Sequence, residues 1–465
     1  MRYVSTRGEA PVLDFSDVLL AGLARDGGLY VPETWPSFAE EDWRALVGLE
    51  YPALAARMFA PFVGDAFSLD ELEALTHEAY ATFSHKAVTP LVQLGANEWL
   101  LELFHGPTFA FKDVAMQVLA RMMDAVLARR GGRITIVGAT SGDTGSAAIE
   151  AFKASTRADI FILHPKGRVS PIQRRQMTTV DAPNVHNIAI EGTFDDAQAL
   201  VKAMFNDLKF RDAYSLAGIN SINWARVMAQ TAYYAAASLA LGGPARPVAF
   251  SVPTGNFGDV LAGYVTKRMG LPIERLVIAT NVNDILVRCL TTGVYASEPV
   301  KATQSPSMDI QVSSNFERLL FEAYGRDGQA VRALMSEFAA DGRFQVSPNA
   351  LNAIRNDFVA ARVAEEATSR MIAGIRKDTG LVIDPHTAVG IVAGRMRRGD
   401  RQVPLVHLAT AHPAKFTDAV KRALGETPPA PPALAALTGL SERVSELPND
   451  LEAVKSFIAA RARAA

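Results

Sequence analysis

Residues 133–147 read RITIVGATSGDTGSA. Residues 133–137 (RITIV) form a short β-branched run, 139–145 (ATSGDTG) a loop rich in Gly, Ser and Thr, and 145–154 a helical pattern. A run of strand character that passes through such a loop into a helix is one unit of a largely parallel sheet covered by helices. The unit recurs from about residue 100 onward. Strand-like runs lie at 159–164 (DIFILH), 185–190, 248–252, 275–280 and 403–409, and helical patterns at 171–178, 194–207, 224–241, 259–269 and 412–424. The fold class expected is α/β.

Working outward, residues 1–90 differ in character. They carry helical patterns at 15–25, 40–47 and 69–83 and a turn at Asp26-Gly27-Gly28, and so suggest a separate N-terminal helical domain. At the other end, 425–439 (GETPPAPPALAALTG) is rich in Pro and Ala and reads as an arm before a last amphipathic helix at 450–462. Between them lies a catalytic-sized unit, 91–424.

Composition narrows the chemistry. The 465 residues suffice for a large buried core. With 47 Lys and Arg against 49 Asp and Glu, the net charge is -2, so there is no basic excess to draw nucleic acid or an anionic membrane. A small-molecule substrate is the expected partner. Cys289 is the only cysteine, which excludes an internal disulfide or a cysteine-ligated zinc and suits a reducing compartment. The start, MRYVSTRGEAPV, lacks the basic and apolar regions of a signal peptide, and no segment has the ~18 apolar residues of a span, so a cytoplasmic protein is expected. The patch-free composition suits a monomer, with a dimer as the alternative.

Four loops carry the chemistry. In an open α/β sheet, ligands bind at the carboxyl ends of the strands, so such loops converge on one crevice. The loop Thr140-Ser141-Gly142-Asp143-Thr144-Gly145 offers hydroxyls and a helix start to a carboxylate or phosphate. It has neither the Gly-Lys-Ser/Thr of a Walker loop nor the G-x-G-x-x-G of a dinucleotide site. Thr254-Gly255-Asn256-Phe257-Gly258-Asp259 has two glycines that let backbone approach a ligand, and its successive N–H groups suit a phosphate such as that of pyridoxal phosphate. Helix capping and turn formation alone also account for the Ser, Thr, Asn and Asp of both loops.

Lys112 stands among apolar and aromatic neighbours in 101–113 (LELFHGPTFAFKD) at a helix start. Desolvation and the helix N-terminus both favour its neutral amine, which can form a Schiff base and then carry protons. The competing reading is a surface lysine with a snorkelling stem. The fourth loop, in 408–416 (LATAHPAKF), places the Thr410 hydroxyl at a strand end, facing a ring nitrogen in the crevice. His412, His407, His386 and His164 lack the close helical spacing of a zinc site, and no metal is expected.

Taken together, these strings closely resemble the threonine synthase family, in its longer branch with an extra N-terminal unit. The matching strings, in order, are GGLYVP (27–32), ELFHGPTFAFKD, ATSGDTGSA, HPKGRVSPIQ from His164, NSIN from Asn220, VPTGNFGD, ATNVND from Ala279, Lys301-Ala302-Thr303, DPHTAVG from Asp384 and TAHPAKF. The resemblance implies two open, mostly parallel sheet subdomains, the smaller at roughly 110–220, with pyridoxal 5'-phosphate between them. It implies conversion of O-phospho-L-homoserine and water to L-threonine and phosphate. Lys112 would bear the cofactor; Gly255, Asn256, Phe257, Gly258 and Asp259 would surround its phosphate; Thr410 would meet its pyridine nitrogen and Asp143 its 3-oxygen. Thr140, Ser141 and Thr144 would lie by the substrate carboxylate, and Asn220, Ser221 and Arg226 would clamp the leaving phosphate, for which a planar guanidinium is well shaped. Residues 317–380 and the Pro-rich arm match no string. A dehydratase or β-replacement enzyme of the same cofactor fold is the nearest alternative, and a catalytically silent metabolite-binding protein is one of another class.

Overall fold

The computed structural model describes residues 1–463. Its larger sheet runs Phe358–Arg362, Ile273–Thr280, Val248–Pro253, Leu405–Ala409, Glu98–Glu102, Leu91–Gly95; all neighbours are parallel except the last pair. The smaller sheet runs Ser445–Leu447, Val185–Ile190, Ala158–Pro165, Ile134–Ala139, Leu216–Ala217 and is wholly parallel. Ile134–Ala139 and Ala158–Pro165 are buried at every position. Helices cover both of their faces, which is why the sequence writes them as unbroken apolar runs and not as an alternation.

The helix Trp224–Ala240 sits at the centre of the molecule, buried on nearly every side. It packs against Lys112–Arg130, Gly258–Arg268 and the N-terminal helix Tyr51–Val63, so one element touches both ligand-loop helices and the N-terminal unit. A helix buried on nearly all sides needs such company to be stable.

Two features depart from the sequence reading. The N-terminal unit is not purely helical, because Leu13–Asp14, Arg2–Ser5 and Tyr30–Pro32 form a three-stranded antiparallel sheet. Those strands are too short for a period of two to show. The helix Tyr51–Val63 is an addition to the expected ones: Pro61 lies inside it, near its end, where a proline in the sequence ordinarily signals a break. At the other terminus the arm returns to the smaller sheet: Ser445–Leu447 pairs with Val185–Ile190, and Leu451–Ala459 buries Val454 and Ile458 against that sheet's outer helix. Among the described residues no helix is long and apolar enough to cross a membrane.

Candidate active site

Every quoted loop leaves the carboxyl end of a parallel strand. The Lys112 loop follows Glu98–Glu102 and is fastened to the end of Leu405–Ala409: Phe111 N–H donates to the Thr410 carbonyl at 2.8 Å and His412 N–H to the Phe109 carbonyl at 3.0 Å. Phe109 takes a left-handed conformation, φ 59°, to make that turn. Lys112, the first residue of Lys112–Arg130, and Thr410 are therefore held together by backbone alone.

The Lys112 side chain is 13% exposed, and its Nζ lies 3.8 Å from Asp143 Oδ2. Burial pulls its amine down to about 8; Asp143 opposes the shift, and Arg226 and Lys415 add to it. Asp143 begins the helix Asp143–Phe152, and its Oδ1 accepts from Lys415 Nζ at 2.7 Å and Gln173 Nε2 at 2.8 Å. Burial disfavours its charge, but Lys415 and Lys112 outweigh that and hold the carboxyl far below the usual range. Asp113, next to Lys112, accepts twice from Thr108, and burial pushes it up to about 6.

The second loop suits an anion by its backbone. Among the described residues the amide N–H groups of Gly255, Asn256, Phe257, Gly258 and Asp259 have no protein acceptor, and they stand at the start of Gly258–Arg268. Phe257 takes a left-handed conformation (φ 67°) within this run of donors, and successive N–H groups at such a turn and helix start are the backbone arrangement that suits a phosphate. A Cβ on Gly255 would lie 2.9 Å from the Ser307 carbonyl. Asn256 is exposed, and its carbonyl accepts from the backbone and side chain of Asn315.

Three of the named residues have side chains engaged elsewhere. The Asp259 carboxylate turns inward to the hydroxyls of Tyr233 (2.5 Å) and Tyr234 (2.8 Å), and burial raises it to about 6, so at the crevice this residue offers only its N–H. The Phe257 ring packs on Phe316 and Phe358 in the core. Thr140 Oγ1 accepts from the N–H groups of Gly142 and Gly145, closing its own turn. By contrast, the side chains of Ser141, Thr144, Asn220, Ser221 and Thr410 make no hydrogen bond to a described residue.

Arg226 is 4% exposed and lies in the central helix with no carboxylate in reach among the described residues. Its NH1 donates to the Ile219 carbonyl at 3.3 Å and its buried Nε has no partner. Burial pulls its guanidinium down to about 10, so it stays charged at neutral pH. A buried cation without a counter-charge is costly, and an anionic ligand relieves that cost. Ser221 stands beside the second loop, its Cβ 3.6 Å from where a Gly258 Cβ would sit.

Sequence reasoning missed several residues here. Ser307 Oγ is 3.4 Å from Asp143 Oδ2, and its N–H donates to His386 Nε2 at 3.1 Å; the Nδ1 of that ring therefore carries the proton that Asp384 accepts at 2.7 Å. Lys415 lay within a quoted string without a role. Arg318, in the unmatched stretch, donates to the Tyr30 and Ile222 carbonyls and to Asn315 Oδ1. Only its apolar surroundings signalled anything, as FERLLFEA (316–323) reads like an ordinary core helix.

Comparison with known proteins decides the family. The family model described as "Threonine synthase N terminus" matches residues 2–80, "Pyridoxal-phosphate dependent enzyme" matches 83–350, and "Threonine synthase, C-terminal" matches 387–458. The chain is 53% identical to the threonine synthase of Pseudomonas aeruginosa over 98% of each chain. The chain belongs to the threonine synthase family. The crystal structure of pyridoxal-phosphate-bound threonine synthase from Brucella melitensis superposes with a TM-score of 0.97 at 58% identity, covering 100% of both chains, and yeast threonine synthase with 0.93 at 40%, covering 98% of both. Like the other members of the family it is a pyridoxal-phosphate enzyme, and the chemistry of the site suits that cofactor: among the described residues it offers five amides without acceptors, a desolvated amine and a Thr410 hydroxyl without a partner.

Proposed function

We propose that the crevice converts O-phospho-L-homoserine and water to L-threonine and phosphate, with Lys112 as its proton-moving base. The observation that carries this reading is the second anion site. The amides of 255–259 serve one phosphate, and the buried, unpaired Arg226 serves another. A dehydratase or β-replacement enzyme has one phosphate to hold, the cofactor's own.

Pyridoxal phosphate, when bound, supplies the aldehyde that captures the substrate amine and a ring that takes up charge from the α-carbon. Lys112 then holds or moves protons at the α-, β- and γ-carbons on one face of the substrate. Its lowered basicity keeps part of the amine neutral near pH 7.5, as a base needs. Ser141 and Thr144, with their N–H groups at the helix start, take the substrate carboxylate, and Thr140 shapes their turn. Asp143 stands by the cofactor's 3-oxygen. Thr410 would offer a hydroxyl to the pyridine nitrogen, whereas a carboxylate there would keep that nitrogen protonated, and the hydroxyl would give a milder electron sink. Arg226, with Asn220 and Ser221, takes the growing charge on the leaving phosphate, and water adds at the β-carbon.

In this reading residues 91–424 form the catalytic unit, 1–90 the N-terminal domain and 425–465 the C-terminal arm, whose described part packs on the smaller sheet. The single Cys289 supports a reducing cytoplasmic setting, and the balanced charge a monomer. Phosphate release from O-phospho-L-homoserine, with threonine identified as co-product, tests the proposal. Deamination of threonine or serine without phosphate release would overturn it.

A further inference from the structure

Two lysines reach one carboxylate. Lys415 ends the short turn Pro413–Lys415 beyond the larger sheet, its side chain is 0% exposed, and its Nζ bonds Asp143 Oδ1 at 2.7 Å and the Thr108 carbonyl at 2.7 Å. Asp143 belongs to the smaller sheet's first helix, and its other oxygen stands 3.8 Å from Lys112 Nζ. Thr108 belongs to the Lys112 loop and bonds Asp113. Lys415 therefore joins three of the four ligand loops without itself needing to touch a ligand.

We propose that Lys415 is a positioning residue that aims Asp143 at the Lys112 nitrogen and cancels its charge there. A lone carboxylate 3.8 Å away would hold Lys112 in its protonated form, since an opposite charge at that range shifts an amine by about 1–3 units. Paired with Lys415, Asp143 keeps its orientation but presents a near-neutral ion pair. The remaining charges facing Lys112 are Arg226 from the central helix and Asp113 from its own helix. His412, on the same loop as Lys415, also lies within its field. Removing Lys415 leaves Arg226 in place and lets Asp113 and His412 titrate higher, whereas the carboxylate nearest Lys112, that of Asp143, loses its partner outright. A purely structural tie would affect folding and leave the basicity of Lys112 where it is.

This inference rests on Lys112 being the cofactor-bearing lysine. The test is a pH titration of the visible absorbance of the holoenzyme, with borohydride reduction and peptide mapping of the tagged lysine. In Lys415→Met the midpoint is expected to rise by about one unit or more. Lys415→Arg should stay near the parent, Asp143→Asn should move the midpoint down, and Asp143→Asn with Lys415→Met should cancel most of the rise. An unmoved midpoint in Lys415→Met, or in Asp143→Asn should Lys415→Met fail to fold, overturns the role of Lys415. A tag on any lysine other than Lys112 overturns the underlying assignment instead.

Discussion

Arg318 Nε donates to the carbonyl of Tyr30 at 2.9 Å, and its NH2 to that of Ile222 at 2.6 Å. The N-terminal sheet is thus joined, through one buried guanidinium, to the segment that carries Ser221 and Arg226. Asn315 extends the link, since it meets Arg318 and donates twice to the Asn256 carbonyl. The N-terminal unit is accordingly tied to both the segment of Ser221 and Arg226 and the loop of Asn256.

Replacing Arg318 with Met takes the donor from three acceptors, the buried Tyr30 carbonyl and Asn315 Oδ1 and the half-buried Ile222 carbonyl. We expect a loss of about 3 kcal/mol, seen as a fall of several degrees in Tm by calorimetry. In the same variant, KM for O-phospho-L-homoserine should rise while the cofactor's absorbance band persists.

Arg226→Ala should lower kcat/KM for O-phospho-L-homoserine roughly 100-fold, the scale of losing a buried charge-assisted contact. Arg226→Lys should recover little, because an ammonium lacks the planar fork. Steady-state kinetics with phosphate detection reads both. Unchanged kinetics would turn attention to the dehydratase alternative.

A Cβ at position 255 would stand 2.9 Å from a backbone oxygen, that of Ser307, which cannot swing aside as a side-chain tip would. Gly255→Ala should therefore displace the nest and weaken pyridoxal phosphate binding about 10-fold, the cost of modest overpacking. Fluorescence titration of the cofactor-free protein measures it.

Lys112 titrates at about 8 in the folded chain against 10.5 for the free side chain. Between these values the unfolded chain holds more protons, so the cost of this group to stability is full below pH 8 and fades as the pH rises to 10.5. Cofactor-free Lys112→Met should be more stable than the cofactor-free parent at pH 7, by up to roughly 3 kcal/mol. Denaturant titrations at pH 7 and pH 10 should show the gap closing. The variant should also lack the borohydride-sensitive visible band.

The α/β class, the strand-to-loop handovers and the loops that bear Lys112, Ser141, Gly255 and Thr410 were all legible in sequence. Each is a local matter, set by β-branched runs, by glycine, and by where a helix begins. The N-terminal sheet was not legible, since strands of two to four residues leave no periodic trace. Side-chain direction was also hidden. The tyrosines that turn Asp259 inward lie on a different helix, and Thr140 is drawn into its turn by amides that follow it.

Sequence by itself determined which chemical groups this protein has and which strand ends present them. Tertiary structure alone decided which of those groups are paired: among the described residues Arg226 meets no carboxylate and five amides meet no acceptor, while Lys415 is bonded to Asp143. The reason is that a charge is paired or left open by elements far apart along the chain. Their meeting depends on how two sheets and a central helix pack, and no window of sequence contains that.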